Sequence, residues 1–408
     1  MRIGIDVRAL MEGKTTGVEA YITNLLHALF ELDKSNQYLL FANSFTNIEK
    51  FLPKFGYPNV QYRIFRKPNK FFNLSQKFFS TPKIDKLLGG VDLFFSPHWR
   101  YAALSPEVPL IVTFHDLSFK FLPEYFTFWQ RIWHRFMDYE YAAKRADRII
   151  AVSESTKKDI IDVFGVADEK IRVIYSGINN ASVIARSVLD SSLRGSASDR
   201  SNPNDNEIAS SRFESGLAMT GNKKDARNDI ALNLPPKYFL SLGTFEPRKN
   251  AQGVLAAYKE YREKSKIKLP LVLAGSSGWK IKKELPNDEN IIVIENFPEN
   301  AKSALLQNSF ALLFVSFYEG FGFPVLEAAS AGIPVVAAYG TSIAEIGKDF
   351  ALFANPLRPS EIAQAMLALE NDSDYYNALK QRGIAASKNF AWDKTAGQVL
   401  KLFNEIVK

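Results

Sequence analysis

The chain has 408 residues, 46% of them hydrophobic, and this length is too great for one ordinary core, so two domains are expected. It contains no Cys, which excludes disulfides, thiolate metal sites and cysteine catalysis. The formal net charge is +7, the first residues form a charged strand pattern rather than a signal peptide, and no apolar run approaches membrane-spanning length. We therefore expect a soluble cytoplasmic protein.

Apolar strand patterns alternate with helical patterns along the chain, which predicts parallel βαβ units. The predicted strands lie at residues 2–8, 38–42, 93–97, 110–115, 148–153 and 171–176, and then at residues 238–243, 269–274, 291–295, 310–316 and 334–337. The helix after the first strand has an apolar face formed by Val18, Tyr21, Ile22, Leu25, Leu26 and Leu29. We predict an α/β fold with two Rossmann-like domains, at residues 1–178 and 235–389.

The positive charge is concentrated in residues 54–86, which begin at Lys54 and end at Lys86. Eight Lys and Arg residues stand against one acid, so this segment has a net charge of +7, the same as the whole chain. The phenylalanines interleaved with these cations are Phe65, Phe71, Phe72, Phe78 and Phe79. We predict an anionic membrane surface as the partner rather than nucleic acid, whose single strands such segments also bind. The remaining alternative is a solvated basic face over core phenylalanines.

His115 and Asp116 end a predicted strand of the first domain. Adjacent side chains point in different directions, so the pair is not a catalytic triad by itself. His115 is a candidate active-site residue, and a core His beside a capping Asp is the alternative. The stretch Gly13-Lys-Thr-Thr16 resembles the end of a Walker loop, but the required earlier Gly would fall at Arg8, so we predict no Walker loop.

Residues 181–230 interrupt the alternation of strands and helices. They contain ten Ser and one aromatic residue, Phe213. Such a composition buries too little apolar surface to offset the entropy lost on ordering. We predict a disordered insertion, which is either a tether between the domains or a passenger segment.

Two strand ends of the second domain carry candidate ligand-binding residues. Gly243 ends one strand, and Arg248 and Lys249 follow at a helix start. The guanidinium fork of Arg and the point charge of Lys together suit a diphosphate, although for the pair taken alone a solvated surface is favoured. Gly275 ends the next strand and permits close approach of a ligand to the backbone. Ligands of doubly wound sheets collect at these carboxyl ends.

The most informative motif runs from Glu319 to Glu327 and follows the apolar run at residues 310–316. Gly320 and Gly322 permit a sharp turn that opens a helix. The unpaired amides at that helix start predict an anion site. Because carboxylates repel an anion, we predict that the two glutamates bind hydroxyl groups. Each glutamate alone is also consistent with a helix-start preference or a solvated loop.

Together these motifs resemble the GT-B glycosyltransferases of retaining family 4. Glu319 and Glu327 match the paired glutamates of that family, and Gly243 with Arg248 and Lys249 matches a second signature. The resemblance covers nearly the whole chain except the 181–230 insertion. It implies two Rossmann-like domains facing across a cleft, with a helix at about residues 390–408 that crosses back to the first domain.

The resemblance also implies the roles of individual residues. The second domain would bind a nucleotide-diphosphate sugar with no metal or other cofactor. Arg248 and Lys249 would neutralise the leaving diphosphate, Glu319 and His115 would contact the donor sugar, and Glu327 would hold the ribose. The further donor-binding positions are Gly243, Gly275, Gly320, Phe321, Gly322 and Phe323, and the loop near the phosphate and acceptor is marked by Gly13 and Gly17.

The resemblance implies a retaining hexosyltransferase, with mannose favoured, that acts on a lipid-linked or surface-glycan acceptor. We expect it in the cytoplasm, at the inner face of the plasma membrane. The alternatives are a catalytically silent GT-B subunit that binds a partner or membrane, and a nucleotide-sugar epimerase. The aromatic segment at residues 119–141, with Trp129, Trp133 and His134, is predicted either to form the acceptor side or to be an amphipathic helix facing the core.

Overall fold

The computed structural model describes residues 1–13, 16–179, 234–276 and 288–407. The predicted disordered insertion at residues 181–230 lies outside these residues.

The first domain is built on a parallel sheet with strand order β3-β2-β1-β4-β5-β6-β7. Its strands are β1 Arg2–Asp6, β2 Gln37–Asn43, β3 Val60–Phe65, β4 Leu93–Ser96, β5 Leu110–Phe114, β6 Arg148–Ala151 and β7 Ile171–Val173. The sequence analysis missed β3, because this edge strand is half exposed and Arg63 interrupts its apolar pattern. Strand order changes direction between β1 and β4, and such points create a ligand-binding crevice.

The second domain has a parallel sheet with order β10-β9-β8-β11-β12-β13. Its strands are β8 Phe239–Leu242, β9 Leu271–Gly275, β10 Ile291–Glu295, β11 Ala311–Phe314, β12 Val335–Ala338 and β13 Ala351–Ala354. The short edge strand β13 was also missed by the sequence analysis. The prediction of an α/β fold with two Rossmann-like domains is confirmed.

Helices cover both faces of each sheet. In the first domain they are α1 Gly17–Leu32, α2 Asn69–Phe79, α3 Ile84–Leu87, α4 Ser118–Phe121, α5 Phe128–Met137, α6 Tyr139–Arg145 and α7 Glu154–Phe164. After β8 they are α8 Ala251–Lys264, α9 Glu299–Gln307, α10 Phe323–Ser330, α11 Thr341–Ile346, α12 Pro359–Asn371, α13 Ser373–Ser387 and α14 Trp392–Ile406. Among the described residues, no helix is both long and apolar enough to cross a membrane.

Helix α1 begins at a reciprocal cap. The Thr16 hydroxyl accepts a hydrogen bond from the Glu19 amide, and the Glu19 carboxylate accepts one from the Thr16 amide. Five of the six residues predicted for its apolar face are fully buried, and only Val18 is partly exposed. The cap and this apolar face place the start of α1 beside the crevice.

The last helix, α14, returns to the first domain. The Phe403 ring lies 5.3 Å from that of Phe95 in β4, and the Trp392 ring lies 5.8 Å from that of Tyr21 in α1. A Cβ atom on Gly177 would meet the Trp392 backbone nitrogen at 2.4 Å, so the chain leaving the first domain passes directly against the chain returning to it. This arrangement is the crossing-back helix that the family resemblance implied.

The two domains also touch along the far side of the crevice. Glu345 of α11 accepts hydrogen bonds from the Glu154 and Ser155 amides at 3.0 and 3.3 Å, so it caps the first turn of α7 in the other domain. The Tyr318 hydroxyl donates to Asp159 of α7 at 2.5 Å. These contacts hold the second domain's loops against the first domain.

Candidate functional site

A cavity of about 530 Å³ lies between the carboxyl ends of the two sheets. It brings together most of the residues predicted from the sequence, from both domains: Gly17, His115, Gly243, Arg248, Lys249, Gly275, Glu319, Gly320, Phe321, Gly322 and Phe323. A cavity of this size at a strand-order reversal is typical of a small-molecule site. It is the candidate functional site.

Two predicted residues do not line this cavity. Gly13 ends a short 3-10 helix with φ of 62°, and its Cα faces the Phe51 ring, so its observed position is that of a turn. Glu327 lies next to the cavity: its Oε1 atom is 2.6 Å from the Nζ atom of Lys302, which lines the cavity, and its side chain is 24% exposed.

At the centre of the site is a buried group of charges. Lys249 Nζ lies 2.5 Å from Glu319 Oε1, and Arg248 Nη1 lies 3.2 Å from Glu319 Oε2. Arg248 also pairs with Glu246 at 2.7 Å and donates to the Tyr318 carbonyl. The sequence analysis assigned the cations to phosphate and Glu319 to a hydroxyl group without expecting that they pair with one another.

Glu319 is held in its charged form. Burial alone would raise the pKa of the Glu319 carboxyl, but Lys249 and then Arg248 outweigh burial and keep that pKa below its ordinary value. Burial acts to lower the pKa of Arg248, and the neighbouring carboxylates raise it overall. The cavity wall therefore carries two fixed cations next to a carboxylate that neutralises them in part.

The glycine turn places the charge group beside the first domain. The Gly320 carbonyl accepts hydrogen bonds from Ser153 Oγ at 2.8 Å and Thr156 Oγ1 at 3.3 Å. A Cβ atom on Gly320 would fall 1.7 Å from the His115 carbonyl oxygen, so only glycine fits this contact. The turn thus connects the two domains directly.

The start of α10 opens into the cavity. Gly322 precedes the helix with φ of 96°, a left-handed conformation that favours glycine, and Pro324 lies in the first turn of the helix. Gly322, Phe323 and Pro324 all line the cavity. The positive end of the helix dipole therefore adds to the field of Arg248 and Lys249.

His115 is partly buried and forms part of the cavity wall. Its Nε2 atom is 2.7 Å from the Pro97 carbonyl oxygen, which can only accept, so Nε2 carries the proton. Burial lowers the pKa of His115, although the Pro97 bond and Asp116 act in the opposite direction. A neutral ring with this tautomer leaves Nδ1 as a hydrogen-bond acceptor, which suits a sugar hydroxyl.

Glu327 has one satisfied and one unsatisfied oxygen. Its Oε1 atom pairs with Lys302, whereas its Oε2 atom is buried without a hydrogen-bond partner in the described part of the chain. A buried carboxylate oxygen without a donor is costly, and a ligand hydroxyl would satisfy it. Lys302 was missed by the sequence analysis, because a single Lys in a helix carries no recognisable signal.

Small polar side chains complete the wall. Thr244 follows β8 and Ser276 follows β9, and their hydroxyl oxygens are 3.0 Å apart. They directly follow Gly243 and Gly275, the strand ends that the sequence analysis did identify, but neither residue was itself predicted.

The aromatic segment at residues 119–141 does not line this cavity. His134 stacks on Phe119 with ring centres 4.7 Å apart, so it is partly packed inward. Trp129, however, is 76% exposed, which contradicts the interpretation of the whole segment as a core-facing helix. Its exposed face is considered below.

Comparisons with known proteins agree with this architecture. The Glycosyltransferase Family 4 model matches residues 15–182, and the model for Glycosyl transferases group 1 matches residues 222–386. Among curated proteins, O-antigen chain mannosyltransferase B of Escherichia coli is 32% identical over 172 residues, or 41% of this chain and 45% of that protein. The serotype-specific mannosyltransferase WbdA of Escherichia coli is 26% identical over 280 residues, 65% of this chain and 29% of that protein.

O-antigen chain mannosyltransferase RfbU of Salmonella typhimurium is 22% identical over 61% of this chain and 58% of that protein. The matches thus span between 29 and 58% of the length of these three curated relatives.

Solved structures share the fold over almost the whole chain. HepE of Anabaena in complex with UDP and glucose superposes with a TM-score of 0.65 at 17% identity, covering 98% of this chain and 99% of that one. Sucrose-phosphate synthase from Thermosynechococcus elongatus gives 0.67 at 15% identity, covering 99% of this chain and 98% of that one. At such identities the likeness concerns the fold. With two family models that together span most of the sequence, the chain belongs to the group 1 glycosyltransferases.

Proposed function

We propose that this protein is a retaining hexosyltransferase that uses a nucleotide-diphosphate sugar. The observation that carries the proposal is the pair of partly buried cations, Arg248 and Lys249, at a helix start in a cavity between the two domains. In sugar transfer the bond between the anomeric carbon and the diphosphate oxygen breaks, and its electron pair leaves with the diphosphate. Fixed cations and a helix N-terminus stabilise that developing charge, so we expect no bound metal to be required.

The remaining residues fit the sugar and the ribose of a nucleotide-sugar donor. Glu319 and the acceptor nitrogen of His115 lie on the cavity side where sugar hydroxyls would be bound, and the unsatisfied oxygen of Glu327 would accept from the ribose. The acceptor hydroxyl forms the new glycosidic bond and loses its proton. Retention of configuration at the anomeric carbon follows from the family resemblance.

The sugar and acceptor are proposed from the relatives. Three of them are named as mannosyltransferases, and two of those names refer to the O-antigen chain. We therefore propose mannose as the transferred hexose and a lipid-linked or surface glycan as the acceptor. We place the reaction in the cytoplasm, at the inner face of the plasma membrane.

A screen of nucleotide sugars, with and without a membrane lipid extract, tests the proposal. Turnover that requires both a nucleotide sugar and the extract is the expected result. Consumption of donor without any acceptor would instead indicate an epimerase. No turnover of any nucleotide sugar, together with no binding of UDP or GDP in calorimetry, would indicate a catalytically silent subunit and show that the proposal is wrong.

Glu327→Gln tests the ribose contact. The amide keeps the size of the side chain but removes a charged acceptor, so we expect the affinity for the nucleotide diphosphate to fall by about tenfold or more. Calorimetry measures this change, with the exposed Glu263→Gln in α8 as the matched control. Unchanged affinity in Glu327→Gln would show that Glu327 does not contact the nucleotide.

Glu319→Gln is expected to separate binding from transfer. Without its charge, Arg248 and Lys249 are no longer partly neutralised, so UDP or GDP should bind about fivefold more tightly. The same variant should transfer sugar more slowly, because the contact to the donor sugar is weakened. Calorimetry and a transfer assay on one protein preparation measure both effects, and weaker nucleotide binding would contradict the proposed competition between Glu319 and the diphosphate.

A further inference from the structure

Two neighbouring helices of the first domain expose large apolar side chains to solvent. Helix α2 exposes Phe71, Leu74, Phe78 and Phe79, and helix α5 exposes Phe128, Trp129, Ile132 and Trp133. Phe71, Phe79 and Trp129 are each 76% exposed. We call these eight residues the aromatic face.

The spacing of these residues places them in a stripe on each helix. In α2, Phe71, Leu74 and Phe78 follow one another at intervals of three and four residues. In α5 the stripe consists of Phe128 and Trp129, then Ile132 and Trp133, and then Phe136. Few side chains anchor these helices to the core: Phe72 and Gln76 are the buried residues of α2, and Met137 is the buried residue of α5. Most of the apolar surface of each helix therefore faces solvent.

The two helices are joined side by side. Lys77 of α2 donates to the Phe136 carbonyl at 2.5 Å and lies 4.9 Å from the centre of the Phe136 ring. A small cavity between the helices is lined by Asn69 and Asn73 from α2 and by Trp133 from α5, among others. Their solvent-facing stripes therefore form parts of one surface.

Cations surround this surface, and neither helix contains an acid. The exposed basic residues in or next to the two helices are Lys67, Lys70, Arg131 and Arg135. The sequence analysis assigned the membrane contact to residues 54–86 alone. In the structure Phe65 and Phe72 pack inward, and Lys77 contacts α5, so these three residues are not part of the exposed surface. Helix α5 lies beside α2 and is a second part of that surface.

We propose that the aromatic face docks on an anionic phospholipid bilayer. Aromatic side chains are favoured at the headgroup layer, where rings bury their apolar part, and Lys and Arg are attracted to lipid phosphates. A second copy of this chain is a poorer occupant. In a two-fold contact the same surface meets itself, so Lys70, Arg131 and Arg135 would face a surface whose two helices contain no acid. Asp138, which follows α5, is already 3.7 Å from Lys77.

The aromatic face adjoins the edge of the candidate site. The Phe121 ring lies 5.7 Å from that of Tyr318, and the Tyr125 ring lies 6.2 Å from that of Phe317, both in the loop before Glu319. Helix α5 begins three residues after Tyr125. A bilayer on this face would bring lipid-linked acceptors to the edge of the cavity, a consequence that rests on the proposed function, whereas the docking itself does not.

Vesicle flotation tests the docking. Full-length protein is mixed with vesicles of phosphatidylcholine alone or of phosphatidylcholine with phosphatidylglycerol, at low and at high salt. We expect the protein to float with the anionic vesicles and to be released by salt. Trp129 should report insertion through a shift of tryptophan emission to shorter wavelength. Absence of flotation with anionic vesicles at low salt overturns the proposal.

Variants locate the contact on the aromatic face. Phe78→Ser combined with Trp129→Ser should weaken vesicle binding by about tenfold or more, and Lys70→Gln combined with Arg131→Gln by a similar factor. Leu357→Ser removes an equally exposed apolar side chain from the second domain and should leave binding unchanged. Equal binding by the wild type and the Phe78→Ser, Trp129→Ser variant would contradict the proposal.

Two further measurements separate this proposal from others. Calorimetry with UDP and GDP should give the same affinity for the Phe78→Ser, Trp129→Ser variant as for the wild type, which shows that the variant is folded. A dimer of the wild type in sedimentation equilibrium that is lost in this variant would assign the face to a second copy and overturn the proposal. Flotation without any sugar transfer would leave the docking supported and overturn the proposed function alone.

Discussion

Lys249→Ala is expected to lower kcat/KM for sugar transfer by about 10²- to 10³-fold. Lys249 is one of two partly buried cations beside the helix start, and fixed charges of this kind are expected to stabilise a leaving diphosphate. The ammonium also compensates Glu319, so its loss leaves a buried carboxylate paired with Arg248 alone. Steady-state kinetics with the donor found in the nucleotide-sugar screen measure the effect.

A matched control distinguishes this effect from a general loss of positive charge. Lys259 lies on the exposed side of α8 in the same domain, so Lys259→Ala removes a cation that does not line the cavity. We expect its kinetics to be close to those of the wild type. If Lys249→Ala and Glu319→Gln both transfer sugar at the wild-type rate, the assignment of the catalytic site is wrong.

Lys249→Ala should also change how the stability of the protein depends on pH. In the wild type the pKa of Glu319 is lowered in the folded state, so the carboxylate contributes stability above its unfolded pKa, and this contribution is lost as pH falls through the folded value. Without Lys249, burial still acts to raise the pKa of Glu319, and Arg248 becomes the single cation that opposes it. Thermal unfolding between about pH 3 and 7 should therefore show a smaller acid-side loss of stability in Lys249→Ala than in the wild type, because the folded pKa of Glu319 lies closer to, or above, its unfolded value.

Much of this architecture could be predicted from the sequence because it depends on local patterns. Buried parallel strands are short apolar runs, and residues at their carboxyl ends converge on one crevice. This rule is sufficient to predict His115, Gly243 and Gly275 as site residues. The edge strands were not predicted, because β3 is half exposed and β13 has only four residues. Edge positions lack the continuous apolar signal of central strands.

Other features depend on contacts between distant residues and have no local signal. The pairing of Glu319 with Arg248 and Lys249 joins residues about seventy positions apart. The contact between Lys302 and Glu327, and the neighbouring positions of α2 and α5, likewise arise only when the chain is folded. The residue types were therefore predictable, whereas their charge state and partners were not.

Gly320→Ala is expected to abolish most transfer while leaving the second domain intact. The added methyl group would fall 1.7 Å from the His115 carbonyl oxygen, so the loop and the first domain must separate by at least about 1 Å. Misplacement of this size costs on the order of 10²-fold in rate. Because the contact lies between the domains, the strain is relieved by opening the crevice rather than by unfolding.

Three measurements on Gly320→Ala distinguish opening from unfolding. We expect wild-type stability in urea, nucleotide affinity within about threefold of the wild type, and a larger radius of gyration in small-angle scattering. Gly56→Ala is the control, because a Cβ atom there would contact nothing within 4 Å. Wild-type transfer by Gly320→Ala would show that the contact is dispensable.

The size of the loss of transfer expected for Gly320→Ala follows from the position of Gly320 in the chain. Its neighbour Glu319 carries the carboxylate of the charge group, and the Glu319 carbonyl accepts a hydrogen bond from Ser342 Oγ at 2.8 Å, so the turn is fixed on the side of the second domain. The Gly320 carbonyl is fixed on the other side by Ser153 and Thr156. The contact between the domains and the position of the Glu319 carboxylate are thus coupled through one turn, and a methyl group on Gly320 is expected to disturb both.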